Sequence, residues 1–340
     1  MSTFEFLLKL KQSGVKVWME GDRLRCTGPE QVLVGEVREQ LRTRKQEIIA
    51  FLRSASISEG SDSSSVVPIQ PLGDRPPLFA VPGHNGDVFC YLDLARRLGT
   101  DQPLFALQAP GLEPDQDPLT SIEAIASLFA RDIIALQAHG PYLLTGYCLG
   151  GTIAFELARQ LTAKGHPVNV LVLLGSPCPT ALAPRHRAHA AVMKAARRFL
   201  RHGGALAQRR PDEWSRYLSE RAAERRADRE RERHDPLRLR LLETTVDAFK
   251  AYQPKAVKFP VHMLLPNDQP DSFLEDRPLD WSLFAETFTL DLGPADGDMN
   301  TMLLEPHVSI FAQLLEKKLG EAVLAHTKTS CASTGTSCTS

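Results

Sequence analysis

From residue 76 to about residue 322 the chain reads as an α/β domain on a parallel sheet, behind a small α+β unit spanning residues 1–53. Three observations carry that reading. Short, wholly apolar runs recur in the larger part: Leu78-Phe79-Ala80-Val81, Leu104-Phe105-Ala106-Leu107 and Val170-Leu171-Val172-Leu173-Leu174. Strands buried on both faces require such runs, and amphipathic helical stretches lie between them. The first fifty residues instead show a helical period, then strict alternation, then a helical period again. Residues 54–75, rich in Ser, Asp, Gly and Pro, separate the two parts and read as a flexible linker.

In the first unit, Phe4, Leu7, Leu8 and Leu10 share one face of a short helix that Gly14 ends. Val15, Val17 and Met19 alternate with Lys16 and Trp18, and Leu24 and Cys26 alternate with Arg23 and Arg25. Glu20-Gly21-Asp22 between them predicts a hairpin. A second helix is predicted from about Gly35 to Arg53, with Val37, Leu41, Ile48 and Leu52 on one face. A helix-hairpin-helix unit this small has a thin core and is better suited to binding than to chemistry.

In the large domain, Tyr142-Leu143-Leu144-Thr145 leads into Gly146-Tyr147-Cys148-Leu149-Gly150-Gly151, and a helix with Ile153, Phe155 and Leu157 follows. A Gly-x-nucleophile-x-Gly sequence between strand and helix forms a sharp elbow, which lifts the central residue above the sheet. That residue is Cys148. At a helix N-terminus the backbone field favours negative charge, so a lowered thiol pKa is expected. The Leu149 N–H is one candidate oxyanion donor. Gly83 and His84, in the glycine-rich stretch after an early strand, offer a second.

Composition excludes several classes. A formal net charge of −1 argues against a general nucleic-acid binder. No apolar run has the length of a membrane span, and the first residues lack a signal layout, so a cytoplasmic protein is expected. The cysteines are scattered without a Cys-x-x-Cys pair, so neither a zinc site nor a disulfide framework is expected, and no bound metal or cofactor. Residues 326–340 are Ser/Thr-rich and are expected to be a disordered tail.

Two stretches resemble known families. Gly14-Val15-Lys16-Val17-Trp18, Glu20-Gly21-Asp22-Arg23-Leu24-Arg25 and Arg44-Lys45-Gln46-Glu47-Ile48-Ile49 resemble N-terminal docking domains of the tubulysin-synthetase type. That resemblance implies that residues 1–53 seize the tail of an upstream synthetase subunit. Residues 76–322 resemble the thioesterase domains of non-ribosomal peptide and polyketide synthetases. The matching stretches are Pro82-Gly83-His84-Asn85-Gly86, Leu107-Gln108-Ala109-Pro110-Gly111-Leu112, the elbow, and Gly297 to Leu303 followed by Glu305-Pro306-His307. The implied fold is an α/β-hydrolase fold with a helical lid insertion at about residues 180–255. The implied substrate is an acyl group presented on the phosphopantetheine of an acyl or peptidyl carrier protein.

The chain departs from that family at three positions. Cysteine replaces the usual nucleophilic serine. The position of the family's aspartate, after the strand that follows the elbow helix, holds Gly175. The position of its histidine holds Met299, whose thioether accepts no proton usefully. Cysteine tolerates the loss of a base better than serine, being a few per cent thiolate at pH 7 and intrinsically nucleophilic. Thioester exchange on Cys148 is therefore expected to outpace hydrolysis, whose water needs a base. Asp268, after a later strand, is a possible relocated acid. His84 either replaces the base or contributes only its backbone N–H. His307 and His139 read as structural. The arginines of the insertion, Arg209 to Arg233, either meet an acidic carrier protein or form a solvated helical face. Acyl or aminoacyl transfer is the expected activity. Product release by hydrolysis or cyclisation, and a non-catalytic scaffold, are the alternatives.

Overall fold

Strands β4 (Leu78–Val81), β5 (Leu104–Leu107), β6 (Tyr142–Tyr147), β7 (Val168–Leu174), β8 (Val261–Leu265) and β9 (Phe288–Leu292) run parallel in one sheet. A seventh, β3 (Val66–Gln70), pairs antiparallel with β5 at one edge, and the sheet order is β3-β5-β4-β6-β7-β8-β9. The computed structural model describes residues 6–10, 13–20, 23–29, 32–49, 65–112, 116–180, 236–266, 281–294 and 299–334, apart from positions 8, 14, 34, 85 and 87.

Helices cover both faces, as the apolar runs require. Alternate strand residues enter two cores. Phe79, Val81, Phe105, Leu144, Leu171 and Met263 pack with α3 (Ile122–Leu136), α4 (Leu149–Ala163) and α5 (Pro236–Ala251). Leu78, Ala80, Leu104, Leu143, Val172 and Leu264 pack with α2 (Leu92–Leu98) and α6 (Val308–Thr334). Ser121 starts α3 by accepting a hydrogen bond from the Ala124 N–H at 3.2 Å. Trp281 is fully buried against Phe155, with ring centroids 4.7 Å apart, and its Nε1–H donates to the Ser176 carbonyl at 3.0 Å.

In the small unit, β1 (Lys16–Glu20) and β2 (Arg23–Thr27) form the expected antiparallel hairpin, with Glu20 opposite Arg23. Phe6, Leu10, Val15, Leu41 and Ile48 make its core. The second helix is interrupted: α1 covers Gly35–Thr43, Arg44 is a turn, and residues 45–49 are helical again.

Two boundaries need correction. Residues 54–75 are not linker throughout, because Val66–Gln70 is the edge strand β3. Its burial against β5 outweighs the polar composition around it. Residues 326–340 are not a disordered tail throughout, because α6 runs on to Thr334. Extending an existing helix adds one backbone bond per residue fixed, so a weak sequence follows a strong start. Residues 54–64, and residues 181–235 of the expected lid, lie outside the described residues.

Glu156, 1% exposed in the middle of α4, is held by a polar cluster. Arg159 and Gln160 donate to it at 2.7–2.8 Å, and the Tyr252 hydroxyl, just beyond α5, donates at 2.8 Å. Burial pushes the carboxyl up, but the hydrogen bonds from Arg159, Gln160 and Tyr252 outweigh it and hold it below its ordinary range. A depressed folded-state value stabilises above the unfolded value, and that contribution is lost as pH falls through the folded one. Glu156→Gln is therefore expected to destabilise the protein by about 1–3 kcal/mol at pH 7. It should also flatten the decline in Tm below about pH 4.5. Thermal melts of both proteins across that range check it.

Candidate active site

The sheet order places the site. From β4 the chain leaves to β5 on one side, and from β6 it leaves to β7 on the other. The carboxyl ends of these two adjacent strands open a crevice where such sheets bind ligands. Val81 at the end of β4 lies opposite Gly146 in β6, so the loop after β4 borders the elbow.

Cys148 has φ 53° and ψ −129°, the single positive φ among the described non-glycine residues. Such a conformation persists only where the surroundings impose it. A Cβ at Gly150 would collide with the carbonyl oxygens of Val81 and Pro82, and one at Gly146 with the backbone of Gly150. The Cys148 N–H donates to the Leu174 carbonyl at 3.0 Å, which ties the elbow to β7. Beneath it the fully buried Tyr91 donates its hydroxyl to the Val81 carbonyl at 2.6 Å.

The backbone N–H groups of Leu149 and His84 both point at the Cys148 sulfur. His84 Nδ1 lies 3.7 Å from Sγ. Gly83 lies against Tyr147 and Cys148, where a Cβ would make ordinary contact at 3.4–3.7 Å. Of the expected site residues, Cys148, Leu149, Gly83 and His84 thus come together, and His84 presents both its N–H and its imidazole.

The expected low thiol pKa is corrected. Cys148 is 3% exposed, packed with Leu149 and Phe249, with Val246 and Tyr147 beside them. Burial pushes the thiol up to about 12 against the pull of the Leu149 and His84 N–H groups. The helix-terminus field is real but smaller than the cost of a thiolate under an apolar cover.

Gly175 sits at the end of β7 with φ 57°, and a Cβ there would collide with the thioether of Met299. The Tyr147 hydroxyl donates to the Met299 carbonyl at 2.5 Å. Met299 therefore fills the space that a side chain at 175 would need, and the two departures fit each other. Asp268 lies outside the described residues. His307 lies in the turn entering α6, where its carbonyl accepts from the Ile310 N–H at 3.0 Å. Among the described residues no His, Cys, Asp and Glu group suits a metal ion. No helix there is long and apolar enough to cross a membrane.

An apolar cleft has His84 in its wall. Val81, Leu107, Phe129, Ile153, Leu241 and Thr245 line it with Gly83 and His84, and it is narrow. Val246 and Phe249 of the Cys148 cluster, and the cleft residues Leu241 and Thr245, all belong to α5. Sequence reasoning did not single them out. Their signal was present as apolar and small residues at 241, 245, 248 and 249, one helix face.

The strand order, the antiparallel edge strand and the elbow define an α/β-hydrolase. Residues 76–264 match the family model of the thioesterase domain, and residues 4–54 match that of the TubC N-terminal docking domain. The chain belongs to the thioesterase-domain family. A non-reducing polyketide synthase of Pseudevernia furfuracea is 39% identical over 121 residues, 36% of this chain and 6% of that protein. Atromentin synthetase invA1 of Paxillus involutus is 38% identical over 112 residues, 33% of this chain and 12% of that protein. The matches thus span a small fraction of these relatives. Among solved structures, the NocB thioesterase domain superposes with a TM-score of 0.53 at 22% identity, over 76% of this chain and 100% of that one. The Vlm2 thioesterase domain gives 0.50 at 26%, over 74% and 96%.

A buried thiol with a raised pKa is expected to react slowly. Iodoacetamide should alkylate Cys148 roughly tenfold or more slowly than the exposed Cys26 at pH 8. The Cys148 rate should climb throughout pH 7–10 without a plateau, and Phe249→Ala should raise it. Peptide mass mapping over time separates the two sites. A plateau below pH 7 would instead indicate a thiolate–imidazolium pair.

Proposed function

We propose that this thioesterase-family chain forms an acyl thioester on Cys148 from a carrier-protein donor and passes it to an acceptor by transfer. The observation that carries the proposal is the convergence on one sulfur of two backbone N–H groups and the His84 imidazole. The Cys148 sulfur attacks the thioester carbonyl, and its proton passes to His84 Nδ1. The Leu149 and His84 N–H groups receive the tetrahedral oxyanion. The bond to the pantetheine sulfur then breaks, and the imidazolium returns its proton to that sulfur. One thioester forms as one is lost. Release to a second thiol or an amine follows the same path in reverse. Residues 1–53 would hold the upstream synthetase subunit, and the phosphopantetheine arm of a carrier protein would deliver the acyl group.

Transfer is favoured over hydrolysis on two grounds. Cys148 is buried in an apolar cluster with Leu149, Phe249 and Val246. The family's usual base position holds the thioether of Met299. A second reading, product release by hydrolysis or cyclisation, draws on His84, since an imidazole at 3.7 Å from the sulfur is placed to activate a nucleophile once the thioester has formed.

Intact-protein mass spectrometry with acyl- and aminoacyl-carrier thioesters decides among these. Wild type should gain an adduct that Cys148→Ala does not. The adduct should persist in water and discharge onto a second carrier thiol. Rapid loss to water or to an amine of the substrate would move the assignment to product release. No adduct with any donor would leave a scaffold. His84→Ala keeps the backbone N–H and removes only the imidazole, so it should slow loading about 10²–10⁴-fold.

A further inference from the structure

Tyr147, the residue before the nucleophile, links the elbow to two other segments of the chain. Strand alternation turns its side chain away from the face on which Gly146 meets α4. The ring stands opposite the open face of Gly83, with Cδ1 and Cε1 at 3.4 and 3.6 Å from where a Cβ of that residue would lie. The hydroxyl donates to the Met299 carbonyl, ahead of α6. The ring also packs beside the Cys148 cluster. The main chain of Tyr147 is fixed separately, because its N–H points at the Tyr91 hydroxyl that is bonded to Val81.

These contacts give the loop after β4 a backstop. Gly83 has no side chain with which to anchor itself, and the next residue, His84, carries both the N–H and the imidazole that face the sulfur. A ring held by packing alone can rock about its side-chain torsions. A hydroxyl bonded to a carbonyl on another segment fixes the far end of the ring. The acceptor is main chain, so the tether does not depend on which side chain stands at 299. The position that the family gives to its histidine thereby still contributes to this site, through its backbone.

We infer that Tyr147 is a positioning residue for the oxyanion site: its ring seats the Gly83–His84 loop beside the sulfur, and its hydroxyl locks that ring to the Met299 main chain. The inference deepens the proposed acylation of Cys148 and rests on it for its catalytic meaning. Removing an oxyanion donor outright costs about 10²–10³-fold. Loosening a donor that remains should cost less, roughly tenfold.

The test uses the full chain and two pantetheine probes of one shape. A trifluoromethyl ketone takes up the Cys148 thiol at its carbonyl: the C–S bond forms, the carbonyl π pair moves to oxygen, and the thiol proton passes to His84 Nδ1. The matching trifluoromethyl carbinol binds without adding, so the ratio of the two dissociation constants isolates the addition step. Tyr147→Phe keeps the ring and loses only the hydroxyl. It should bind the ketone roughly tenfold more weakly and the carbinol as before. Its loading rate from a saturating acyl donor should fall by a similar factor, with the half-saturating concentration unchanged. Tyr147→Leu, which removes the ring as well, should lose more on the ketone. Equal weakening of both probes in Tyr147→Phe, or of neither, overturns the inference. If wild type gains nothing from the ketone over the carbinol, the acylation proposal fails by itself, and amide hydrogen exchange tests the seating directly. The peptide spanning Gly83 and His84 should then exchange about fivefold faster in Tyr147→Phe than in wild type, with residues 168–174 unchanged. Equal exchange at Gly83 and His84 overturns the inference.

Discussion

The structure depends on the close approach of two backbones, the end of β4 and the start of α4. At Gly150 there is no room for a Cβ between α4 and the carbonyls of Val81 and Pro82. That contact holds the strained elbow, and it sets the loop carrying Gly83 and His84 against the sulfur. Tyr91 braces the same point from below through the Val81 carbonyl. Two N–H groups from distant parts of the chain converge because β4 and β6 are neighbours with diverging exits. A preorganised donor pair of this kind needs no reorganisation when charge develops.

Gly175 and Met299 form a packed pair. Replacing Gly175 alone with aspartate would drive a side chain into Met299, and replacing Met299 alone with histidine would supply an imidazole without its acid. A side chain at 175 therefore requires the Met299 thioether to move. A cysteine suits that arrangement if the proposed reaction is transfer, because exchange between thioesters begins and ends with a thiol. No net proton is consumed, and a single imidazole suffices to carry one across. Serine at 148 would need its alkoxide stabilised against a much weaker acidity, which is the task the histidine–aspartate pair performs elsewhere.

Much of this was legible in the chain itself. The apolar runs at 78–81, 104–107 and 170–174 predicted the parallel sheet, and the glycines at 146 and 150 predicted the elbow with Cys148 at its tip. The hairpin was readable from the alternation on either side of Glu20-Gly21-Asp22. The edge strand β3 was not, because a Pro68 within a polar neighbourhood looks like linker until β5 is there to pair with it. The thiol's raised pKa was not legible either. The local pattern shows a helix N-terminus, but Phe249 lies a hundred residues further on, and only the fold brings it onto the sulfur. The imidazole of His84 belongs to the same class of contact. Its loop was expected beside the nucleophile, but which face of the residue would point inward is a matter of packing.

The cover over Cys148 changes what the cysteine can be for. An exposed thiolate is fast, but it is also open to oxidation and to water as a competing acceptor. A buried thiol beside an imidazole gives up standing nucleophilicity and is less open to both competitors. Burial raises the cost of the charged state by the same physics that raises the cost of admitting water. The high thiol pKa and the proposed preference for transfer would then share one origin, the burial of Cys148. A variant that lowered the first by opening the cover would be expected to erode the second.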